Sequence, residues 1–401
     1  MQNLFKLTNG MDGLMTNNVS CTVERSSYYW DYTPLVENTS TLLDHNKYNV
    51  VDLFCGAGGI SCGLHMTNEF QTVLANDIYT PALKTYKRNN PTVPTILGDV
   101  RKITEENYDE VLKDKKVHLV TAGVPCQGFS LSNKKRHVND ERNFLFLEVI
   151  RFVNIYNPDV ILIENVTGMK SLNKGSFVEE IKLELEKAGK VGYKVLDPQL
   201  LNAADYGVPQ LRKRLIFLAV RNGLSEIAYP EAKYGEGLEP YRTIKDAIFD
   251  LPKLDNNDEK TIYGKKVLTE YQKLLKDKQP TLFNHKSPKH PDSTIEKISN
   301  TEPTKPMYEN YKQRIRLGWD IQSPTQVAGG IRPQFQFGHP SQNRGLSIRE
   351  RARIQSFPDN YEFLGGIVQC RVQTGNAVPP LLAKALGEEI IKVLDKEYKD
   401  K

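Results

Sequence analysis

The chain has 401 residues, of which 39% are hydrophobic and 26% charged, with 27 glycines and 22 prolines. These proportions exclude a disordered, collagen-like or low-complexity protein, and the length suits about two to three domains. The formal charge is only +5, but residues 251–350 hold 17 Lys and Arg against 11 Asp and Glu, so the basic surplus sits in one central segment where a polyanion can dock.

Residues 1–46 are rich in Asn, Ser and Thr, with an aromatic cluster at Tyr28, Tyr29, Trp30 and Tyr32, and lack helical or alternating periodicity; they read as an extension without an assigned role. From Tyr48 the pattern changes to short apolar runs alternating with helix-like stretches. Asn49–Phe54, Gln71–Ala75, Val117–Ala122 and Val160–Glu164 are expected strands, in the rhythm of βαβ units and a parallel sheet. Leu215–Val220 is a further strand. After it, sequence rich in Lys, Asn, Asp and Pro runs to about residue 343 and marks a second domain. Ser347 and Glu350 form a capping box that starts a helix running toward Phe357, where Pro358 stops it. A last helix is expected from Pro379–Pro380, with Leu381, Leu382, Ala385, Ile390 and Val393 on the face that returns to the sheet. No apolar run reaches the roughly 18 residues that span a bilayer, and Met1–Lys6 begins no signal peptide. The five cysteines (Cys21, Cys55, Cys62, Cys126, Cys370) contain no C-x-x-C pair, which fits a reducing cytoplasm and argues against a disulfide framework or a metal site.

Chemistry concentrates at predicted strand ends. Phe54-Cys55-Gly56-Ala57-Gly58-Gly59 is a glycine turn between a strand and a helix, where a ligand can approach exposed backbone amides. Asp77 follows 21 residues after Gly56, at the end of the next strand, where a carboxylate can accept from ribose hydroxyls. Together they point to an adenosine-containing cofactor, although Ser61 stands where a dinucleotide fingerprint has its third glycine. Cys126, in Pro125-Cys126-Gln127, follows the strand Val117–Ala122; it is either a buried small side chain or a nucleophile whose thiolate is favoured by nearby positive charge. Glu164 ends another strand, as an ion-pair partner or as a group that binds and protonates a heterocycle. Gln210, Arg212 and Arg214 alternate along a strand and share a face, so the two arginines either flank an anion or line a solvated edge. Gln373 to Pro380 contains a Gly375-Asn376 turn ahead of the last helix, a cap or a closure over the cofactor site.

Taken in order, these motifs, with Gly98-Asp99-Val100, Glu164-Asn165-Val166, Arg349-x-x-x-Arg353-Ile354-Gln355-x-Phe357-Pro358 and Gln373-x-Gly375-Asn376-x-Val378-Pro379-Pro380, resemble the DNA (cytosine-5)-methyltransferase family, in particular stand-alone prokaryotic restriction-modification enzymes. The resemblance covers about residues 48–395, apart from 225–343, where that family keeps its variable target-recognition domain. It implies an α/β fold: a Rossmann-like methyltransferase sheet with helices on both faces, plus a smaller, mostly irregular and β target-recognition domain. The implied division is an extension (1–46), a catalytic and cofactor-binding domain (47–224), a target-recognition domain (225–345), a helix and return connection (346–372) and a C-terminal helix completing the catalytic domain (373–401).

The resemblance also implies S-adenosyl-L-methionine as cofactor, held by Phe54, Gly56, Ala57, Gly58 and Gly59, with Asp77 on the ribose, Ile78 against the adenine, Asp99 and Val100 at the adenine edge, and Pro125, Asn376, Ala377 and Val378 closing the pocket. Asp77 stands where the family more often has Glu, and Ile78 where some members have an aromatic. In the implied reaction Cys126 adds to C6 of a flipped-out cytosine, Glu164 binds N3 and the exocyclic amine, Arg212 holds O2 and keeps Cys126 ionised, and Arg214 supports it. Gln127, Ser130 and Arg142 belong to a basic stretch, Ser130–Phe146, that resembles the loop closing over the base. Arg332, Gln334 and Gln336 alternate with Phe335 and Phe337, so they lie near the bases or are incidental to core packing. The partners implied are double-stranded DNA and a restriction endonuclease, with no membrane and no metal, for a cytoplasmic, nucleoid-associated monomer. The alternatives are methylation of transfer RNA and a catalytically silent DNA-binding regulator; a nicotinamide or flavin oxidoreductase accounts for the glycine turn alone.

Overall fold

The computed structural model describes residues 33–37, 43–125, 144–264, 269–276, 280–328 and 336–400. The expectations for Cys126, Gln127, Ser130, Arg142, Arg332 and Gln334 lie outside these residues, as does the aromatic cluster at 28–32. The apolar runs become strands β1 (Leu35–Glu37), β2 (Tyr48–Leu53), β3 (Phe70–Asp77), β4 (Thr95–Leu97), β5 (Leu119–Gly123), β6 (Val160–Val166), β7 (Tyr193–Val195), β8 (Gln199–Asn202), β9 (Gln210–Leu211), β10 (Lys213–Arg221) and β11 (Ser323–Pro324). The helices are α1 (Gly59–His65), α2 (Thr80–Asn89), α3 (Glu105–Leu112), α4 (Phe146–Tyr156), α5 (Ser176–Lys187), α6 (Ile244–Ile248), α7 (Glu270–Leu275), α8 (Asp292–Ser299), α9 (Ile348–Ile354), α10 (Ile367–Asn376) and α11 (Pro380–Tyr398).

Among the described residues the main sheet runs β1-β4-β3-β2-β5-β6-β10-β7, with β8 also on β10. The strands from β4 to β6 are parallel, joined by crossovers that need a helix. The strand expected at Leu215–Val220 is antiparallel to β6. It is reached from β8 by a tight return that pairs Asn202 with Lys213, too short for a crossover. Alternate residues of each strand enter opposite cores. Val50, Leu119, Leu162 and Leu218 meet α1 and α11 on one face, while Val51, Val120, Ile161 and Phe217 meet α3, α4 and α5 on the other. Burial on both faces explains why the strands read as continuous apolar runs.

Leu35–Glu37, within the segment read as an extension, pairs antiparallel with β4 and forms the sheet's edge. Three residues are too few to show a period. After Arg221 the chain is mostly irregular, and its apolar side chains Ile244, Leu251, Tyr271, Leu282, Leu317 and Phe337 join the same cluster as β2, β5 and α11. Residues Thr33–Lys401 form one contact unit.

Helix α9 begins with the expected capping box between Ser347 and Glu350. It ends at Ile354, short of Phe357, because Ser356 takes a left-handed conformation (φ 67°). The Phe357 amide then donates to the Ala352 carbonyl and the Ser356 amide to that of Arg353, a double closure that satisfies the last turn. The freed Ser356 hydroxyl accepts from the Leu381 amide in the first turn of α11. Gly375 and Asn376, expected as a turn ahead of the last helix, are the last turn of α10, with Ala377 as its C-cap.

Candidate functional site

The chain leaves β2 toward β3 and β4 on one side and resumes with β5 on the other. That reversal opens a crevice at the carboxyl ends of β2 and β5, the place where open α/β sheets bind ligands. The first wall is the turn after β2. Phe54, Gly56 and Gly58 all have positive φ (55°, 56° and 87°), so the chain doubles back within five residues. The Asp77 carboxylate holds this shape: Oδ2 accepts from the Gly56 amide and Oδ1 from the Tyr79 amide, each at 2.7 Å. Burial pushes the Asp77 pKa up, against those amide donors. At Gly59 a Cβ would stand 2.2 Å from the Val378 carbonyl oxygen, so the glycine lets the end of the chain close onto the turn. Tyr361 adds a hydrogen bond from its hydroxyl to the Ala57 carbonyl.

Beneath this turn lies a buried pair that no motif in the sequence marks. Asp52 is fully buried and accepts from the hydroxyls of Ser61 (2.5 Å) and Thr121 (2.8 Å). Burial raises its pKa to about 6 against those hydrogen bonds. Ser61, noted only as a missing glycine, therefore ties α1 to β2; a polar residue on the buried face of a short helix, nine residues after an acid on a strand, was the available signal.

The expected cofactor fits this cradle. A Cβ at Gly56 would meet no atom within 4 Å, leaving open space over a left-handed backbone, with the Asp77 strand end beside it. Ile78 is half-buried next to Asp77, and Val100 is buried. Asp99, expected to accept from the adenine amine, caps the turn at Val100 and is paired to Arg101 at 2.6 Å. Burial raises its pKa, but the Arg101 hydrogen bonds and charge outweigh that and hold it below the usual range.

The second wall is formed by β5, β6 and β10. Glu164 is buried, with Oε1 2.5 Å from Arg214 Nε. A Cβ at Gly123 would lie 3.7 Å from Glu164 Oε2 and 3.5 Å from the Phe54 carbonyl oxygen, so the glycine turn and the carboxylate face each other across the end of β5. Asn165 reaches across with Nδ2 3.4 Å from the Val124 carbonyl, and orients the residue before Pro125. Pro125, half-buried, is the last described residue before Cys126.

The two arginines differ in their partners. Arg212 is fully buried and donates to the carbonyls of Gln326 (2.9 Å) and Gly375 (2.8 Å); burial, then the charge of Arg214, lowers its pKa. The chain switches sheets at this residue, from β9 on β11 to β10 on β6, yet Gln210, Arg212 and Arg214 all stay on the buried side, between exposed Leu211 and Lys213, and Arg214 meets Glu164. Two nitrogens of Arg212 are thus spent on backbone carbonyls, its Nε is buried without a hydrogen-bond partner, and the arginine paired with Glu164 is Arg214. Gln336 takes the core-packing alternative. Its amide oxygen accepts from the Val327 amide and its nitrogen donates to the Thr325 carbonyl, so it braces the 325–327 backbone from within instead of facing a base. Phe337 is buried as expected. Asn376 is exposed, with Ala377 and Val378 buried against the turn at Gly59.

Among the described residues no cluster of His, Cys, Asp and Glu is arranged to hold a metal, and no helix is long and apolar enough to cross a membrane. The family model for C-5 cytosine-specific DNA methylases matches residues 48–392. The chain is 35% identical over 355 residues to the type II methyltransferase M1.HphI of Haemophilus parahaemolyticus, covering 86% of each. It is 34% identical to M.Eco47II of Escherichia coli, covering 89% of this chain and 82% of that one. A solved E. coli prophage protein assigned as a DNA modification methyltransferase superposes with a TM-score of 0.73 at 26% identity, over 87% of this chain and all of the other.

Proposed function

Because the chain belongs to the C-5 cytosine-specific DNA methylase family and is a DNA cytosine-5 methyltransferase using S-adenosylmethionine, we propose that it methylates one cytosine of a short duplex sequence through a covalent adduct on Cys126. The supporting observation is the buried Glu164–Arg214 pair at 2.5 Å, placed across Gly123 from the glycine turn at the sheet's switch point. When bound, the sulfonium cofactor supplies an electrophilic methyl group. Phe54, the Gly56–Gly59 turn, Asp77, Ile78, Val100, Pro125 and Asn376–Val378 hold it, and the Asp77 carboxylate keeps the turn in shape.

Cytosine C5 is a weak nucleophile, and the chain's own groups must activate it. The Cys126 thiolate adds to C6, which moves ring electron density toward C5 and N3. Glu164 hydrogen-bonds N3 and the exocyclic amine, where charge develops, and Arg214 holds the carboxylate in place and meets O2. Once C5 carries the methyl group, loss of its proton to a base expels the Cys126 sulfur and restores the ring. A stacked base is inaccessible to these groups, so the cytosine is flipped out of the helix at a cost of a few kcal/mol. Residues 225–345 supply target recognition, with Gln127, Ser130, Arg142, Arg332 and Gln334 among the DNA contacts. The type II relatives support a protective role beside a restriction endonuclease.

The test is methylation of unmethylated duplex DNA and, in parallel, transfer RNA by the wild type and Cys126→Ser, followed by base-resolution mapping. The expected outcome is 5-methylcytosine in one short DNA context, reduced about 10³-fold or more in the variant. A duplex carrying 5-fluorocytosine at that site should trap a denaturation-resistant adduct, because fluorine blocks the final elimination. Methylation that persists in Cys126→Ser would sink the covalent reading, and modification of RNA alone would replace DNA as the substrate.

A further inference from the structure

Beneath the site lies a seam of buried arginines on α9 and α10 and the segments beside them, and their partners can be compared one by one. Arg344 makes two hydrogen bonds to Glu350, at 2.8 and 2.7 Å. Arg349 donates to the carbonyls of Phe283, Pro358 and Tyr361. Arg353 is clamped between Asp250 and Asp359. Arg351 bonds the Thr374 hydroxyl and the carbonyls of Val327 and Arg371. Arg371 is the exception. Its side chain is in a residue only 6% exposed, yet among the described residues its guanidinium has neither a carboxylate nor a carbonyl partner.

Its charged neighbour Arg351 is another cation, and His290 is neutral at neutral pH. The charge of Arg371 adds to burial in lowering the pKa of both Arg351 and His290, so these groups sit within its field. Arg371 lies one helical turn before Gly375, whose carbonyl is held by Arg212 and whose missing side chain admits the 325–328 backbone. It therefore stands where the central basic segment meets the arginine of β9 and β10, next to the chain entering residues 329–335. A buried cation without a counter-charge costs free energy, and it is kept only where something else recovers that cost. Burial alone brings the Arg371 pKa down to about 10, so it remains charged at neutral pH.

We propose that the Arg371 guanidinium binds a backbone phosphate of the substrate duplex. The inference rests on the reading of the chain as a duplex-DNA methylase and adds a residue to it. A phosphate supplies the acceptors that the protein withholds, and a planar guanidinium can engage two of its oxygens. The Arg371 contact sets register on the backbone and reads no base.

The experiment uses the full chain, a short duplex containing the site found by methylation mapping, and the variants Arg371→Gln and Arg371→Lys. Duplex affinity is measured from 50 to 200 mM salt, beside thermal melts and calorimetric titration with S-adenosylmethionine. The slope of log K against log salt should flatten by about 0.9 in Arg371→Gln and be largely restored in Arg371→Lys, so the glutamine variant's deficit shrinks by about 3-fold across that range. Its melting temperature should stay level or rise, with cofactor affinity unchanged. Equal slopes in wild type and Arg371→Gln would overturn the phosphate assignment, as would a lowered melting temperature with equal losses for both ligands. A selective loss of cofactor affinity would assign Arg371 to the cofactor's carboxylate. A wild type that does not bind the duplex would instead overturn the function on which the proposal rests.

Discussion

The acidic end of the crevice and the arginine seam solve the burial of charge in opposite ways. Around the glycine turn, Asp52 and Asp77 are met by neutral donors, hydroxyls and backbone amides, most of them near in sequence: Ser61 is 9 residues from Asp52 and Gly56 is 21 from Asp77, with Thr121, 69 residues from Asp52, the distant one. In the seam guanidiniums make the ties, to carboxylates and to carbonyls, and beside near partners such as Glu350 and Asp359 they reach remote ones. Arg353 reaches Asp250 across 103 residues, and Arg212 reaches Gly375 across 163. The acids shape a local turn; the arginines hold together chain that has little regular structure of its own. Neutral donors can hold a shape whether or not the carboxylate is ionised, whereas two buried carboxylates facing one guanidinium cannot do without it.

That contrast predicts unequal damage. The largest effect is expected from Arg353→Leu, which leaves Asp250 and Asp359 buried without their cation and should cost about 3–5 kcal/mol in urea unfolding. A loss under about 1 kcal/mol would show that the carboxylates find other partners. Asp52→Asn should fold, and its effect should depend on pH. Asp52 has a folded pKa of about 6, raised from 3.8, so its ionisable carboxyl adds stability at low pH that is lost as pH rises through 6. Relative to Asp52→Asn, the wild type should therefore weaken by about 1–3 kcal/mol between pH 4 and pH 7. A pH-independent difference would mean that the carboxyl does not titrate in that window. The smallest folding effect belongs to Gly56→Ala. With open space around the Cβ, the cost is the left-handed backbone alone, about 1–2 kcal/mol, while cofactor binding should weaken strongly as the methyl group enters the cradle. Unchanged calorimetric affinity in that variant would place the cofactor elsewhere.

The same difference in range decides what could be read in the sequence. The strands were legible because both sheet faces are buried, so Asn49–Phe54 and Val160–Glu164 stand out as apolar runs. The glycine turn and Asp77 were legible because the contact between them is local. The last helix was marked by its paired prolines and apolar face, and α9 by its capping box. The direction of β10 was not legible, since an isolated run of Leu, Ile, Phe and Val is the same in either orientation. Neither were the fates of Arg212, Gln336 and Arg371. Alternation along a strand predicts that Gln210, Arg212 and Arg214 share a face, and all three are buried between exposed Leu211 and Lys213, but it cannot say which acceptors each guanidinium meets.

By itself the sequence determined the family, the glycine turn with Asp77 and the positions of the apolar strands along the chain, because those features depend on residue type, local spacing and period. Only the tertiary structure decided which arginine faces Glu164, which one is spent on carbonyl groups and which is left without a partner. A guanidinium on a long side chain is directed by whatever acceptors the fold brings within about 3 Å, and those acceptors lie up to 163 residues away.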